Sequence, residues 1–396
     1  MNTTALRDTH APPVPIARRI ALPFDPLLLL ATIALCVCSY VVISGATRGD
    51  IAGQPGYYAN RQVLYVGVGL VLMGVLSRID YTRLRELRYG LYVALIGSIL
   101  AVLAIGTQAK GAQRSIPLPF FQYQASELGK VLLVLALAAF VLDRNRRLGE
   151  RETTARVMLL TLVPAFFVIA QPDLGSGMVY IVIALATLFV AGTSWRHFAG
   201  LFVLGVVAIT LVLVAAPAAG VTVLKPYQKD RLTAFLNPSD NPSKQGYQQI
   251  QSKIAIGAGQ KTGRGEKGAT QTKFDFLPEH HTDFVFAVVG ERFGFVGAAL
   301  VLSLYALLIW RGLRILTMAK NLYGALVAGG IVAMLMFQVF VNVGMTLGIM
   351  PITGITLPLM SYGGSSVLTT LLALGLLQSI YVQGRAAGAF KSRIGL

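Results

Sequence analysis

A chain of 396 residues that is 55% hydrophobic and only 13% charged carries too few charges for a water-soluble surface, because a soluble domain carries about 25%. That excludes a string of two or three soluble domains and leaves one helical membrane domain. The net charge of +17 points either to nucleic acid or to arginines and lysines placed along the inner face of a membrane.

The chain opens with a polar, Pro-rich segment, residues 1–24. The apolar run behind it is long and lacks a small-residue cleavage site, so it reads as a retained first helix and not a signal peptide. Cys36 and Cys38 lie in that run on different faces of one helix, which implies no disulfide framework. In chain order the predicted spans are 25–46, 61–79, 89–107, 126–143, 154–172, 174–193, 197–218, 284–310, 321–346 and 361–383. Each has about the 20 residues needed to cross the hydrocarbon. Only Pro172 and Asp173 divide the fifth from the sixth. The expected fold is an all-α integral membrane protein of about ten transmembrane helices. The polytopic domain would cover 25–383, with tails at 1–24 and 384–396.

Charge settles the expected topology. With the N-terminus inside, the inner segments hold Arg7, Arg18 and Arg19, the four arginines from Arg78 to Arg88, and the five from Arg144 to Arg156. Arg196, Arg311, Arg314, Lys320, Arg385, Lys391 and Arg393 follow. The short outer loops hold only Arg48, Arg61, Lys110 and Arg114. This bias expects both termini in the cytoplasm, and it accounts for much of the charge with no nucleic-acid partner. One long extracytoplasmic loop, 219–283 between helices 7 and 8, carries nine further basic residues, among them Lys229 and Arg231. Long loops escape the inside-positive bias, but one of this length implies function or hidden structure. Tyr247 to Ala258 has helical spacing suited to the membrane surface, and the Gly-rich stretch from Gly257 to Gly268 reads as flexible.

The densest polar cluster is FLPEHHTDF, Phe276 to Phe284. Asp283 sits where water gives way to lipid, where a carboxylate is costly unless paired or at work. It could be a general base, a ligand for a divalent cation, or the cap of the next helix. Glu279, His280 and His281 flank it. Glu291, two helical turns on, would share its face or pair with Arg292 or another helix. Glu127 and Lys130, three apart, can pair. Arg114 in GAQRSI adds positive charge at the same level or simply snorkels. QPDLGSG, Gln171 to Gly177, reads as a turn with Asp173 capping the sixth helix. PITGITLPLMSYGGSS, Pro351 to Ser366, breaks the helical pattern, so lipid would reject it unless it lines a cavity or packs on protein. Its Tyr362 and Ser365 either bind a polar ligand or belong to a packed turn. HHTD lacks the ligand spacing of a zinc site, and no P-loop or nucleophile elbow is present.

At these residues the chain resembles the SEDS family (shape, elongation, division and sporulation), from about Pro26 to Gln383. The resemblance rests on GAQRSI with QASELGK, QPDLGSG, RLTAFLNPSDNPSKQGYQQIQSKIAIGAG, DFLPEHHTDFVFAVVGERFG and PITGITLPLMSYGGSS, in the family's order. The TQTKFDFLPE approach leans towards RodA-like members. Three positions depart: Ser115 replaces the usual Trp, Ala125 the usual Pro, and Arg292 the second residue of a common Glu-Glu pair. The resemblance implies a peptidoglycan glycosyltransferase that polymerises lipid II on undecaprenyl-linked glycan. Asp283 would be the catalytic residue, helped by a divalent cation (Mg2+ or Mn2+) that it binds. Arg114, Lys130, Lys229 and Arg231 would be candidates for holding pyrophosphate. Glu127, Glu279, His281, Glu291, Tyr362 and Ser365 would complete the substrate site. The partners implied are membrane lipid and a class B penicillin-binding protein, a transpeptidase, at the bacterial cytoplasmic (inner) membrane. A lipid II flippase and a non-catalytic cell-wall scaffold are the alternatives. The flippase is disfavoured because the intramembrane polar groups sit near the outer ends of the spans and no inverted repeat is evident. The scaffold leaves the charged cluster unexplained.

Overall fold

Ten apolar helices follow the ten apolar runs. The computed structural model describes residues 24–393 apart from 49, 52, 110–111, 120, 219, 221–225, 237–243 and 275. The N-terminal tail and Lys110 therefore lie outside the described residues. The helices are α1 (Pro26–Ala46), α2 (Tyr57–Arg78), α3 (Arg88–Ile105), α4 (Ala125–Asp143), α5 (Arg151–Ala170), α6 (Leu174–Val190) and α7 (Trp195–Ala218). After these come α8 (Pro226–Leu236) and α9 (Lys244–Gly259) inside the long connection, then α10 (Gly265–Gly268) and α11 (Thr270–Lys273), two single turns. The last three are α12 (Val285–Met318), α13 (Leu322–Leu347) and α14 (Gly364–Arg393). Among the described residues nine helices are long and apolar enough to cross a membrane, and α6 is a shorter tenth. The chain is thus a multi-pass, essentially all-α membrane protein. The core is built on α4, α13 and α14, whose apolar residues are buried on most faces, whereas none of the described residues of α7 is buried.

The sequence reading missed the helix α8 and a small sheet. The α3–α4 connection contains a small antiparallel sheet in the order β1 (Thr107–Ala109), β2 (Ala112–Pro117) and β3 (Gln122–Tyr123). Its three strands are too short to register beside their long apolar neighbours, and β2 carries Arg114.

Because the spans alternate in direction, their connections gather at two ends. At one end Asp25 is fully buried and holds Arg311, with Nε at 3.2 and 3.1 Å from its two oxygens. Arg85 and Arg88 share Asp143 there, each at 2.9 Å. A cavity of about 610 Å3 lined by Arg85, Glu86, Arg88 and Tyr323 also opens at that end, away from the motifs. The opposite end brings together the described residues of the connections after α1, α3, α5, α7 and α13, joined by contacts such as Arg231 Nη1 to Thr353 O at 2.9 Å and Gln124 N–H to Ser365 Oγ at 2.9 Å.

The long connection agrees with expectation in one respect and differs in another. The helix read from Tyr247 to Ala258 exists, and one face of it packs on protein. Gln249, Ser252 and Ala255 are buried, and Ser252 Oγ donates to Thr346 O at 2.8 Å. The Gly-rich stretch after it is held, not loose. The reason is Gly294, whose φ of +63° interrupts α12. A broken helix exposes backbone donors and acceptors that need partners. Here Phe295 and Val296 donate to Gln260 O and Lys261 O at 2.9 and 3.1 Å, and Glu291 O accepts from Arg264 N–H at 2.9 Å. The approach is so close that a Cβ on Gly259 would stand 1.8 Å from Gly290 O. Gly259→Ala is therefore expected to force α9 off α12 and cost about 1–3 kcal/mol. Thermal unfolding in detergent micelles checks this, and an unchanged midpoint would contradict it.

Candidate active site

The motif end of the bundle is assembled from five connections, and each sequence-predicted residue has a definite place in it. Asp283 lies in the turn that precedes α12, half-buried. It is not the helix cap: the N-cap residue is Phe284. Its backbone carbonyl accepts from Asn342 Nδ2 at 2.9 Å, and the same amide donates to Ile355 O at 2.8 Å. Asn342, fully buried in α13, thus ties the HHTDF turn to the PITGITLP segment. It was passed over in the sequence as one amide in an apolar run; a polar residue inside a span was the available signal.

The Asp283 carboxylate and the Arg231 guanidinium face one point. A Cβ placed on Gly354 would lie 3.6 Å from Asp283 Oδ2 and 3.9 Å from Arg231 Nη2. Arg231 is brought there by α8 and anchored on Thr353 O. Lys229 is on the same helix two residues earlier, so it projects to the opposite side, where it is exposed. The two residues do not converge.

Glu279 adopts a positive φ of +59° and organises the turn. Its carbonyl accepts from Thr282 N–H at 3.2 Å and Phe284 N–H at 3.3 Å, and its Oε2 accepts from Thr282 Oγ1 at 3.1 Å. Left-handed backbone at a non-glycine residue is costly and concentrates at functional turns. His281 stacks on Tyr58 at 4.6 Å between ring centroids. Tyr362 contacts both rings, at 5.0 Å from Tyr58 and 5.8 Å from His281, and its N–H donates to His281 O at 2.9 Å. Burial and the neighbouring Tyr65 push the Tyr362 phenol above its ordinary range, so it stays a neutral donor.

The break at 351–363 is buried against protein. Ser361 Oγ donates to Thr282 O at 2.6 Å and accepts from Leu357 N–H at 2.8 Å. Ser365 Oγ donates to Gln122 O at 2.7 Å, which pins the small sheet.

Glu127 and Lys130 form a buried ion pair of 2.6 Å at the start of α4. Beside them Ser126 Oγ donates to Asp173 Oδ2 at 2.7 Å, and Asp173 Oδ1 accepts from Ser176 N–H at 3.0 Å, the cap expected for α6. Arg114 reaches over the same turn and donates to the carbonyls of Gln171, at 3.2 Å, and Pro172. Backbone oxygens therefore occupy donors that the sequence suggested for an anion.

Glu291 does not share a face with Asp283. The helix begins at Val285, so helical periodicity does not reach back to Asp283. Instead the fully buried Glu291 carboxylate accepts from Gln271 N–H at 2.7 Å, Thr272 N–H at 3.0 Å and Thr272 Oγ1 at 2.6 Å. It thus seats the loop at α11. Arg292 turns the other way, to Val42 O at 3.2 Å and Glu266 at 3.5 Å. Hydrogen bonds to a charged group contribute about 1.5–3 kcal/mol. Glu291→Gln is expected to cost that order of stability and to speed tryptic cleavage at Lys267 and Lys273. Equal cleavage rates in variant and native protein would refute this role.

Nine helices long and apolar enough to cross a membrane among the described residues, with a shorter tenth, and a carboxylate and a guanidinium meeting at one end among buried non-helical segments define a polytopic membrane protein with a polar site at one end of its bundle. The chain belongs to the FtsW/RodA/SpoVE family, described as cell cycle protein, whose model matches residues 24–386. It is 38% identical over 359 residues to the peptidoglycan glycosyltransferase MrdB of Escherichia coli K12, covering 90% of this chain and 93% of that one. It is 34% identical over 362 residues to stage V sporulation protein E of Bacillus subtilis, covering 90% and 96%. Among solved structures it is similar to a chain described under structural coordination of polymerization and crosslinking by a peptidoglycan synthase complex, with TM-score 0.77, 34% identity and coverage of 92% and 99%. It is also similar to the crystal structure of Thermus thermophilus rod shape determining protein RodA, with TM-score 0.66, 30% identity and coverage of 93% and 98%.

Proposed function

We propose that this chain is a peptidoglycan glycosyltransferase. It polymerises lipid II at the outer face of the bacterial cytoplasmic membrane, in cell elongation and shape. The observation that carries the reading is the Asp283 carboxylate facing Gly354 beside the Arg231 guanidinium: a base and an anion holder at one point. Asp283 takes the proton from the 4-hydroxyl of one lipid-linked sugar as that oxygen bonds to the anomeric carbon of the other. The bond from that carbon to the pyrophosphate oxygen breaks, and Arg231 receives the departing charge. Of the four candidate cations, Arg231 is the one whose guanidinium meets Asp283 at Gly354.

A divalent cation fits here. Mg2+ and Mn2+ take one or two carboxylates together with substrate phosphates, and Asp283 offers a carboxylate oxygen next to the pyrophosphate position. When bound, the ion would neutralise charge developing on the leaving group. The exposure of α7 supports a lipid-borne substrate: an apolar helix with no buried residues leaves a flank where a polyprenyl chain can lie. The basic cluster of Arg83, Arg85, Arg88, Arg146 and Arg147 at the end opposite the site supports cytoplasmic termini. A class B penicillin-binding protein is the partner, a reading supported by the similarity to a chain of a peptidoglycan synthase complex.

The test is reconstitution with the partner transpeptidase, lipid II and Mg2+ or Mn2+, with glycan length read on gels. Polymer is expected. Movement of lipid II across vesicles without polymer would favour the flippase instead.

A further inference from the structure

We propose that Asp50, His280 and His281 form a three-ligand site for a divalent transition metal of the zinc type, separate from the carboxylate of Asp283. The α1–α2 connection delivers Asp50 onto the two histidines. Its Oδ2 lies 3.4 Å from His280 Nε2 and 3.9 Å from His281 Nδ1, and the three donor atoms are all within 4.8 Å of one another. Metal–ligand bonds of about 2.0–2.1 Å in tetrahedral geometry set donors about 3.3 Å apart, which the separation of Asp50 from His280 matches. Linear spacing hid the site, since two ligands are adjacent in sequence and the third is more than 200 residues away.

The surroundings are those of ligand imidazoles. His280 is buried, 3% exposed, and its Nδ1 lies 3.2 Å from Leu277 O. A carbonyl only accepts, so Nδ1 carries the hydrogen. The Nε2 of the same ring faces the Asp50 carboxylate at 3.4 Å, and a backbone carbonyl on the far nitrogen is the usual outer partner of a metal-bound histidine. The His281 ring is held by stacking on Tyr58. Two imidazoles and one carboxylate suit zinc and its neighbours better than magnesium. Three protein ligands leave a fourth position open, two residues from Asp283. The ion would clamp the α1–α2 connection to the turn that carries Asp283. This inference stands apart from the glycosyltransferase reading, because its test reads metal and not polymer.

The full-length chain in detergent, stripped with chelator, is titrated with Co2+ and then Zn2+. One Co2+ per chain is expected, with the intense visible absorption of a tetrahedral site, displaced by Zn2+. His280→Gln and Asp50→Asn are each expected to weaken Co2+ binding by at least about tenfold, while Asp283→Asn keeps it. Two variants on different connections guard against a folding defect in one. No stoichiometric Co2+ on the native chain would overturn the proposal and leave a plain imidazolium–carboxylate pair. Undiminished binding in both variants, or loss confined to Asp283→Asn, would also overturn it.

Discussion

Asp283→Asn is expected to remove glycan polymerisation while the protein still folds. A positioned general base contributes about 10²–10⁴-fold, so turnover should fall by at least two orders of magnitude, below the detection limit of a gel assay. The expectation of folding is specific. The bond through which residue 283 joins the two motif segments is made by its backbone carbonyl, which accepts from Asn342, and an asparagine keeps that carbonyl. The substitution is nearly isosteric and removes the charge and the capacity to take a proton. A monodisperse elution profile and an unchanged melting point should accompany the loss. Polymer at more than a tenth of the native rate would remove Asp283 from the base role. A variant that aggregates would show instead that the carboxylate supports the fold.

The contrast with Asn342 and Glu291 shows what the sequence could and could not convey. The ten spans were legible because about 20 apolar residues in a row have one low-energy solution in lipid, the helix. Asp173 as a cap was legible because capping is local. Glu291 was misplaced because its partner, the α11 turn, is brought by a loop whose path depends on the break at Gly294. Asn342 was missed because its role is to bridge two segments distant in the chain. Arg114 and Ser365 were singled out for a polar ligand, and the acceptors they meet in the structure are backbone carbonyls of neighbouring connections, which only the assembled bundle provides. Side-chain type and local period were readable. Long-range pairing was not, and the pairing of Asp50 with two histidines is the extreme case.

The Glu127–Lys130 pair gives the largest expected effect on stability. Lys130 is 1% exposed and Glu127 5%. Their 2.6 Å contact is made inside the bundle, where an unpaired charge has no water to turn to. Lys130→Met therefore strands a carboxylate, and breaking a buried pair from one side costs about 3–5 kcal/mol. Lower yield of folded protein and a strongly reduced melting point are expected. The double variant Glu127→Gln/Lys130→Met strands nothing, and replacing both charges with neutral groups of similar volume is often close to neutral. It should recover most of the lost melting temperature. A double variant as unstable as the single one would show that Lys130 serves an acceptor other than Glu127. The recovered protein also separates two roles for Lys130. Polymerisation that returns with the fold marks the pair as scaffold beneath the Asp173 turn. A stable fold without polymer marks Lys130 as a cation that the pyrophosphate needs, with Glu127 holding it in place until substrate arrives.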